Sequence, residues 1–309
     1  MTAQLERQPD AQQPSASAQD NGGTPLSRQQ IFSALNAKFD SELAKRGSMR
    51  RGLAGLTGMH LELFAGCGRH TKSLHRLGLP CLSFDYLTDP VLGDLLNPHV
   101  QACILGWIRD GLVATVWLGT PCTSWCIALN RFPKCRLRSA DEIFGLSTLN
   151  DRQQQRVLIG NRTAKFSIKI INTCMHLCLP VALENPCRSL LFELPGLQKL
   201  ARHKSYTCHQ FTMCAFGTRW RKATELWCWY CEGHYLDTCR CTGRSGICSF
   251  SKKPHIQLQG KSDSGPNWTT IASAYPPRLC HFTARMMATA ALDRATADPG
   301  ILWKKRKPE

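Results

Sequence analysis

A chain of 309 residues is long enough to bury a sizeable core, which excludes a mini-protein held together by cross-links alone. It carries 39 Lys and Arg against 22 Asp and Glu, a net charge of +17, and that balance points to a polyanionic partner, nucleic acid before anionic membrane. The 17 cysteines follow an N-terminus, MTAQLERQPDAQQPSASAQD, that has no apolar leader, so they read as reduced thiols of a soluble intracellular protein rather than as a secreted disulfide scaffold. No apolar run approaches the roughly 20 residues needed to span a bilayer.

Residues 1–27 are rich in Gln, Ala, Ser, Pro and Gly and are expected to be a disordered tail. Over residues 28–47, Ile31, Leu35, Phe39 and Leu43 recur at steps of four, which predicts an amphipathic helix ended by Gly47. From residue 58 the texture alternates. MHLELFAG is an apolar run closing on glycine, GRHTKSLHRLG a helix, LPCLSF a run closing on Asp85, PHVQACILGWIRDG a helix, and LVATVWLG a buried strand that stops at Thr120-Pro121-Cys122. Such alternation builds right-handed βαβ units and predicts an α/β fold over residues 58–195, a Rossmann-like, mostly parallel sheet with helices on both faces. Ligands of these sheets sit at the carboxyl ends of the strands. Residues 130–150 read as a loop or lid, residues 152–178 as a long helix, and PVALEN as a strand ending in Glu184-Asn185-Pro186. Residues 196–260 interleave Cys, Trp, His and Arg with little period and read as a small Cys/His-rich irregular insertion or recognition domain. Residues 261–303 read as a C-terminal segment returning to the core, and 304–309 as a basic tail.

Gly66 and Gly68 stand between a strand and a helix, where glycine lets the backbone turn sharply against a ligand. Asp85 ends the next apolar run, the place from which a carboxylate accepts ribose hydroxyls. Asp94, in GDLL, is a third carboxylate that meets an adenine amino group or caps a turn. The order predicts a nucleoside cofactor, and the missing third glycine favours S-adenosylmethionine over a dinucleotide, since it has no pyrophosphate to cradle. Cys122 would sit at the mouth of the same cleft as a nucleophile if its pKa is lowered, and Glu184 should open into the same crevice.

The order ELFAGCG (62–68), Asp85, GDLL (93–96), GTPCTSW (119–125) and ENP (184–186) resembles the C5-cytosine DNA methyltransferase family over roughly residues 59–225. The resemblance implies that Cys122 attacks C6 of cytosine and Glu184 contacts N3. It implies that Phe64, Gly66, Gly68, Asp85, Asp94 and Pro121 hold S-adenosylmethionine, and that Ser124, Asn185, Arg219, Arg221 and Lys222 meet the nucleic acid. Thr120, Cys126 and Pro186 depart from the family's usual Pro, Ser and Val, and GTRWRKAT only echoes its later basic element. The chemistry is coherent in itself. Thiolate addition at C6 makes C5 nucleophilic, a carboxyl group at N3 stabilises the adduct, and the base must be flipped out or unpaired. The implied partner is DNA before RNA, and the implied place in a eukaryotic cell is the nucleus. A methyltransferase for another nucleobase, with Cys122 a spectator, and a non-catalytic nucleic-acid-binding relic are the alternatives.

Past Trp227 the chain offers a tetrahedral zinc site, with Cys231, Cys239, Cys248 and His255 the favoured cage and Cys228 and Cys241 as substitutes. Unliganded reduced thiols are the other reading. Arg240, Arg244, Lys252 and Lys253 surround that stretch as a nucleic-acid grip or a solvated face.

Overall fold

The computed structural model describes residues 25–45, 58–263 and 265–297; the expectations for residues 1–24, for Gly47 and for the basic tail lie outside them. Ser27 opens α1 (Arg28–Ala44) with a reciprocal capping box to Gln30, and the helix buries Ile31, Leu35 and Phe39 as its period predicts. The alternating part follows as β1 (Met59–Leu63), α2 (Arg69–Arg76), β2 (Cys81–Phe84), α3 (Pro98–Arg109), β3 (Val113–Leu118), α4 (Asp151–His176) and β4 (Val181–Pro186). Asn97 caps α3 with Pro98 in its first turn, and Asn150 and Gln153 form the capping box of α4. After α5 (Pro195–Leu200) come β5 (Tyr206–Thr212), β6 (Ala223–Trp229), the short α6 (Trp268–Ile271) and α7 (Pro277–Ala297).

The six strands form one sheet in the order β2-β1-β3-β4-β6-β5. The first four run parallel, and β6 runs antiparallel between β4 and β5, so that β5 points with β4. This is the expected α/β architecture with a mostly parallel sheet. Strand residues divide between its two faces. Val116, Leu118, Val181 and Leu183 join the core under α1, α3 and α4, whereas Trp117 and Ala182 join the core under α7. Helix α7 also packs Ala284, Ala288 and Ala291 against Leu74 of α2, so the C-terminal segment does return to the sheet. Helices α2 and α3 thus lie on opposite faces, as two right-handed crossovers leading in opposite directions along the sheet require. The chain leaves β1 toward one face and β3 toward the other, and a crevice opens between their carboxyl ends.

One boundary differs from the sequence reading. Residues 206–229 are no insertion: β5 and β6 complete the main sheet, and β6 pairs with β4 from Val181↔Trp229 to Pro186↔Thr224. Strand β6 hides its period because it is central and buried on both sides, with Trp227 and Trp229 facing one core and Leu226 and Cys228 the other. The irregular Cys/His-rich stretch begins after it. Among the described residues no helix is long and apolar enough to cross a membrane.

Candidate active site and metal centre

The turn after β1 reaches its shape through left-handed backbone at Phe64 (φ 59°), Gly66 (φ 55°) and Gly68 (φ 63°), the last of which starts α2. Asp85, half-exposed at the end of β2, accepts the Gly66 N–H at 2.8 Å on one carboxylate oxygen and the Leu87 N–H at 2.9 Å on the other. The two features read separately from the sequence are therefore one unit, with open space beyond the Cα of Gly66. Asp94 takes the turn-capping role, its Oδ1 accepting the Leu96 N–H at 2.9 Å.

At the end of β3, Pro121 and Cys122 are half-exposed, and the Cys122 carbonyl accepts the N–H groups of Trp125 and Cys126, folding the loop back on itself. The loop is held by a residue that the sequence reading passed over. Arg138, buried, stacks 3.4 Å over the Trp125 ring and donates to Ser124 O (2.9 Å), Ser124 Oγ (2.9 Å), Val157 O (3.1 Å), Ile143 O (2.7 Å) and Asn161 Oδ1 (2.7 Å). Helix α4 approaches closely enough for this only because Gly160 lacks a side chain: a Cβ there would lie 2.2 Å from Ser124 Oγ. Ser124 is consequently interior, and the structure corrects its expected place at a nucleic-acid surface. Thr120, also buried, bonds Ser167 of α4 at 2.7 Å.

Glu184 ends β4 facing α7 and the crevice. Tyr275 donates to its Oε2 at 2.9 Å, and the Lys222 ammonium stands 4.0 Å from Oε1. Burial and the Glu184 charge push the Tyr275 phenol well above its ordinary value, so it stays a donor. Asn185 is fully buried, and its Nδ2 donates to Thr120 O at 2.7 Å, locking the end of β4 to the Pro-Cys loop. Glu184 Oε1 and Asn185 Oδ1 are both buried and make no hydrogen bond. Burial pushes the Cys122 thiol up to about 11, with the Lys222 charge pulling it down and Cys126 and Glu184 pushing it up. Cys122, Glu184 and Lys222 are thus within electrical reach of one another. Among the expected nucleic-acid residues, Lys222 belongs to this group, Arg219 is exposed, and Arg221 is exposed but donates to Cys241 O at 2.8 Å. A cavity of about 420 Å³, lined by Ile127, Arg188, Leu190, Glu225 and Trp227 among others, includes none of Cys122, Glu184 and Lys222, and Trp227 lines it from the sheet face opposite Glu184.

No protein-family model and no curated protein matches this chain.

The cysteine-rich stretch assembles a different cage from the one expected. Cys214, Cys241, Cys248 and His255 place their ligand atoms within 4.8 Å of one another, a Cys3His group that can hold a metal such as zinc. Cys248 and His255 are the two members expected. Cys241, named as a substitute, is a full member. Cys231 and Cys239 are not members: their thiols point to the carbonyls of Val181 and Tyr235. Cys228 is buried in the sheet. Cys241, Cys248 and His255 recur every seven residues, which was visible in the sequence, whereas Cys214 lies before β6 and arrives only through the β5–β6 pairing.

Proposed function

We propose that this chain is an S-adenosylmethionine-dependent methyltransferase that transfers a methyl group to C5 of cytosine in DNA through a covalent Cys122 adduct. The observation that carries the reading is the placing of Cys122, Glu184 and Lys222 at the carboxyl ends of β3 and β4, where Glu184 Oε1 is buried and makes no hydrogen bond. A buried acceptor without a hydrogen bond is costly, and it suits a ligand edge that brings its own donor, such as the amino group of cytosine. The Gly66–Asp85 unit fits a nucleoside cofactor, since a half-exposed carboxylate held by two N–H groups keeps further lone pairs for ribose hydroxyls. When bound, that cofactor supplies the electrophilic methyl.

The residues divide the remaining work. Cys122 gives up its proton and its sulfur bonds to C6, the C5–C6 π pair shifts to C4–C5, the C4–N3 π pair moves onto N3, and N3 takes a proton from the Glu184 carboxyl, so that overall the thiol proton ends on the base. C5 can then take the methyl group. Loss of the C5 proton to water, return of the N3 proton to Glu184 and cleavage of the C6–S bond restore the thiolate, the Glu184 carboxyl and the aromatic base. Lys222 favours the thiolate.

An oligonucleotide containing 5-fluorocytosine tests this, because fluorine at C5 cannot leave as a proton does and the adduct stays. With the methyl donor present, wild type is expected to form a denaturation-resistant complex with the peptide containing Cys122. Cys122→Ser should bind S-adenosylhomocysteine as wild type does and form no complex. Methyl transfer by Cys122→Ser at the wild-type rate would overturn the covalent route, and a wild type inert on all cytosine substrates would overturn the reading.

A further inference from the structure

We infer that Cys214, Cys241, Cys248 and His255 form a structural zinc site whose role is to hold the segment 217–222 that carries Lys222 to the crevice. The site assignment does not depend on the proposed reaction.

Three observations converge. The donor set is soft, three sulfurs and one imidazole nitrogen, which is the set zinc takes in closed tetrahedral sites. The Cys241 Sγ to His255 Nε2 distance is 3.8 Å, near the edge of a tetrahedron with Zn–S of about 2.3 Å and Zn–N of about 2.0 Å. The thiols also receive backbone donors, Ser249 N–H to Cys241 Sγ at 3.3 Å and Ser251 N–H to Cys248 Sγ at 3.5 Å, the outer contacts that orient thiolate ligands.

The loop needs such a tie. Across residues 241–260 the only buried residues are Cys241 and Cys248, and the only ladder contact is the isolated bridge Ile247↔Pro254. Twenty residues with no apolar core of their own cannot offset the entropy of a fixed conformation, and a bound metal can.

The cage brackets the Lys222 segment from both sides. Cys214 lies in the 3-10 turn Met213–Phe216 immediately before Gly217, and the other three ligands come from the loop beyond β6. That loop is stitched to the segment by Ile256 N–H to Arg219 O at 2.8 Å and by Arg221 to Cys241 O at 2.8 Å. Lys222 O in turn accepts the Met213 N–H at 3.1 Å. Removing the ion would free the loop, and with it both bonds to the segment.

Metal analysis of the full chain purified without chelator is expected to return about one zinc, and X-ray absorption to return three sulfurs and one nitrogen. The cobalt-substituted chain should show the intense visible bands of a tetrahedral thiolate site. Cys214→Ser and Cys248→Ser should lower zinc occupancy, whereas Cys231→Ser and Cys239→Ser should keep it; should any ligand variant fail to fold, the cobalt spectrum of wild type still reads the donor set. Hydrogen exchange after chelation should rise at least tenfold in residues 217–222 and 241–256 and stay unchanged in α2. A folded chain free of metal, a donor set other than three sulfurs and one nitrogen, or zinc lost from Cys231→Ser and kept by Cys214→Ser would overturn the site. Unchanged exchange in 217–222 on zinc removal would overturn its positioning role.

Discussion

Cys122 and Arg138 show how differently two residues of one loop can be read. A cysteine after proline at a strand end announces itself by type and place, but its reactivity is set by neighbours, and here burial outweighs Lys222 and pushes the thiol up to about 11. Alkylation at Cys122, followed by peptide mass mapping, should therefore climb about tenfold per pH unit from pH 7 to 10 with no plateau, and Lys222→Met should slow it further at each pH. A plateau below pH 9 would mean that the thiol is already activated in the free chain. Arg138 carried no signal in a stretch without period, and its importance is legible only once Ser124, Ile143 and Val157 are seen to offer it their carbonyls. Arg138→Met leaves those acceptors without a donor at about 1–3 kcal/mol for each one that stays dry, so several kcal/mol of stability should disappear. Calorimetry should show the melting temperature falling by several degrees and limited proteolysis a cut between residues 126 and 150. A variant melting as wild type does would show that water replaces the guanidinium.

At the scale of elements, β1 and α2 carry three buried titratable groups, and their protons fix how the fold responds to acid. Burial pulls His60 and His70 down to about 3 and pushes Glu62 up to about 7. The depressed histidines contribute stability that is present above their unfolded value of 6.5 and lost as pH falls toward 3; the raised glutamate contributes stability that is present below its unfolded value of 4.5 and lost as pH rises through 7. Between pH 4.5 and 6.5 the unfolded chain holds two protons that the fold excludes, and the fold holds one that the unfolded chain has released. The net difference is one proton, so these groups should lower stability by about 1.4 kcal/mol for each pH unit of acidification. Glu62→Gln removes the opposing proton and should roughly double that slope, measured from urea unfolding at pH 6.5 and 5.5. Equal slopes would show Glu62 to be ionised in the fold. The elements were legible where an apolar run ended on a marker, as in MHLELFAG or LVATVWLG. They were not legible where burial on both faces erased the alternation, as in β6, or where the edge strand β5 alternates His209 and Gln210 with Phe211.

At the scale of the whole chain, charge was the plainest reading and the least local one. A net +17 says that a polyanion is attracted but not where it lies, because basic residues differ in what already occupies them. Lys222 is drawn into the crevice beside Glu184, and Arg221 is spent on the Cys241 carbonyl, which leaves Arg219 as the exposed member of the basic segment whose side chain is not tied to the metal loop. The same distinction separates the site residues that the sequence disclosed from those that it did not. Glu184 and Asn185 follow directly from a strand end, whereas Tyr275 and Cys214 lie 91 residues beyond Glu184 and 27 residues before Cys241, joined to them only by the sheet and by α7 packing on it. If the fold presents its charge to a duplex, log affinity should fall linearly with log salt at a slope near −0.9 per phosphate contact. Arg219→Ala should make that slope shallower by about one and weaken binding equally on every sequence, without changing zinc content or melting temperature, since only the backbone carbonyl of Arg219 is used by the loop. Arg221→Ala should instead alter both slope and stability. Fluorescence anisotropy on labelled duplexes from low to moderate salt decides between them: affinity that does not move with salt, or an Arg219→Ala slope equal to wild type, would place the nucleic acid elsewhere on the molecule.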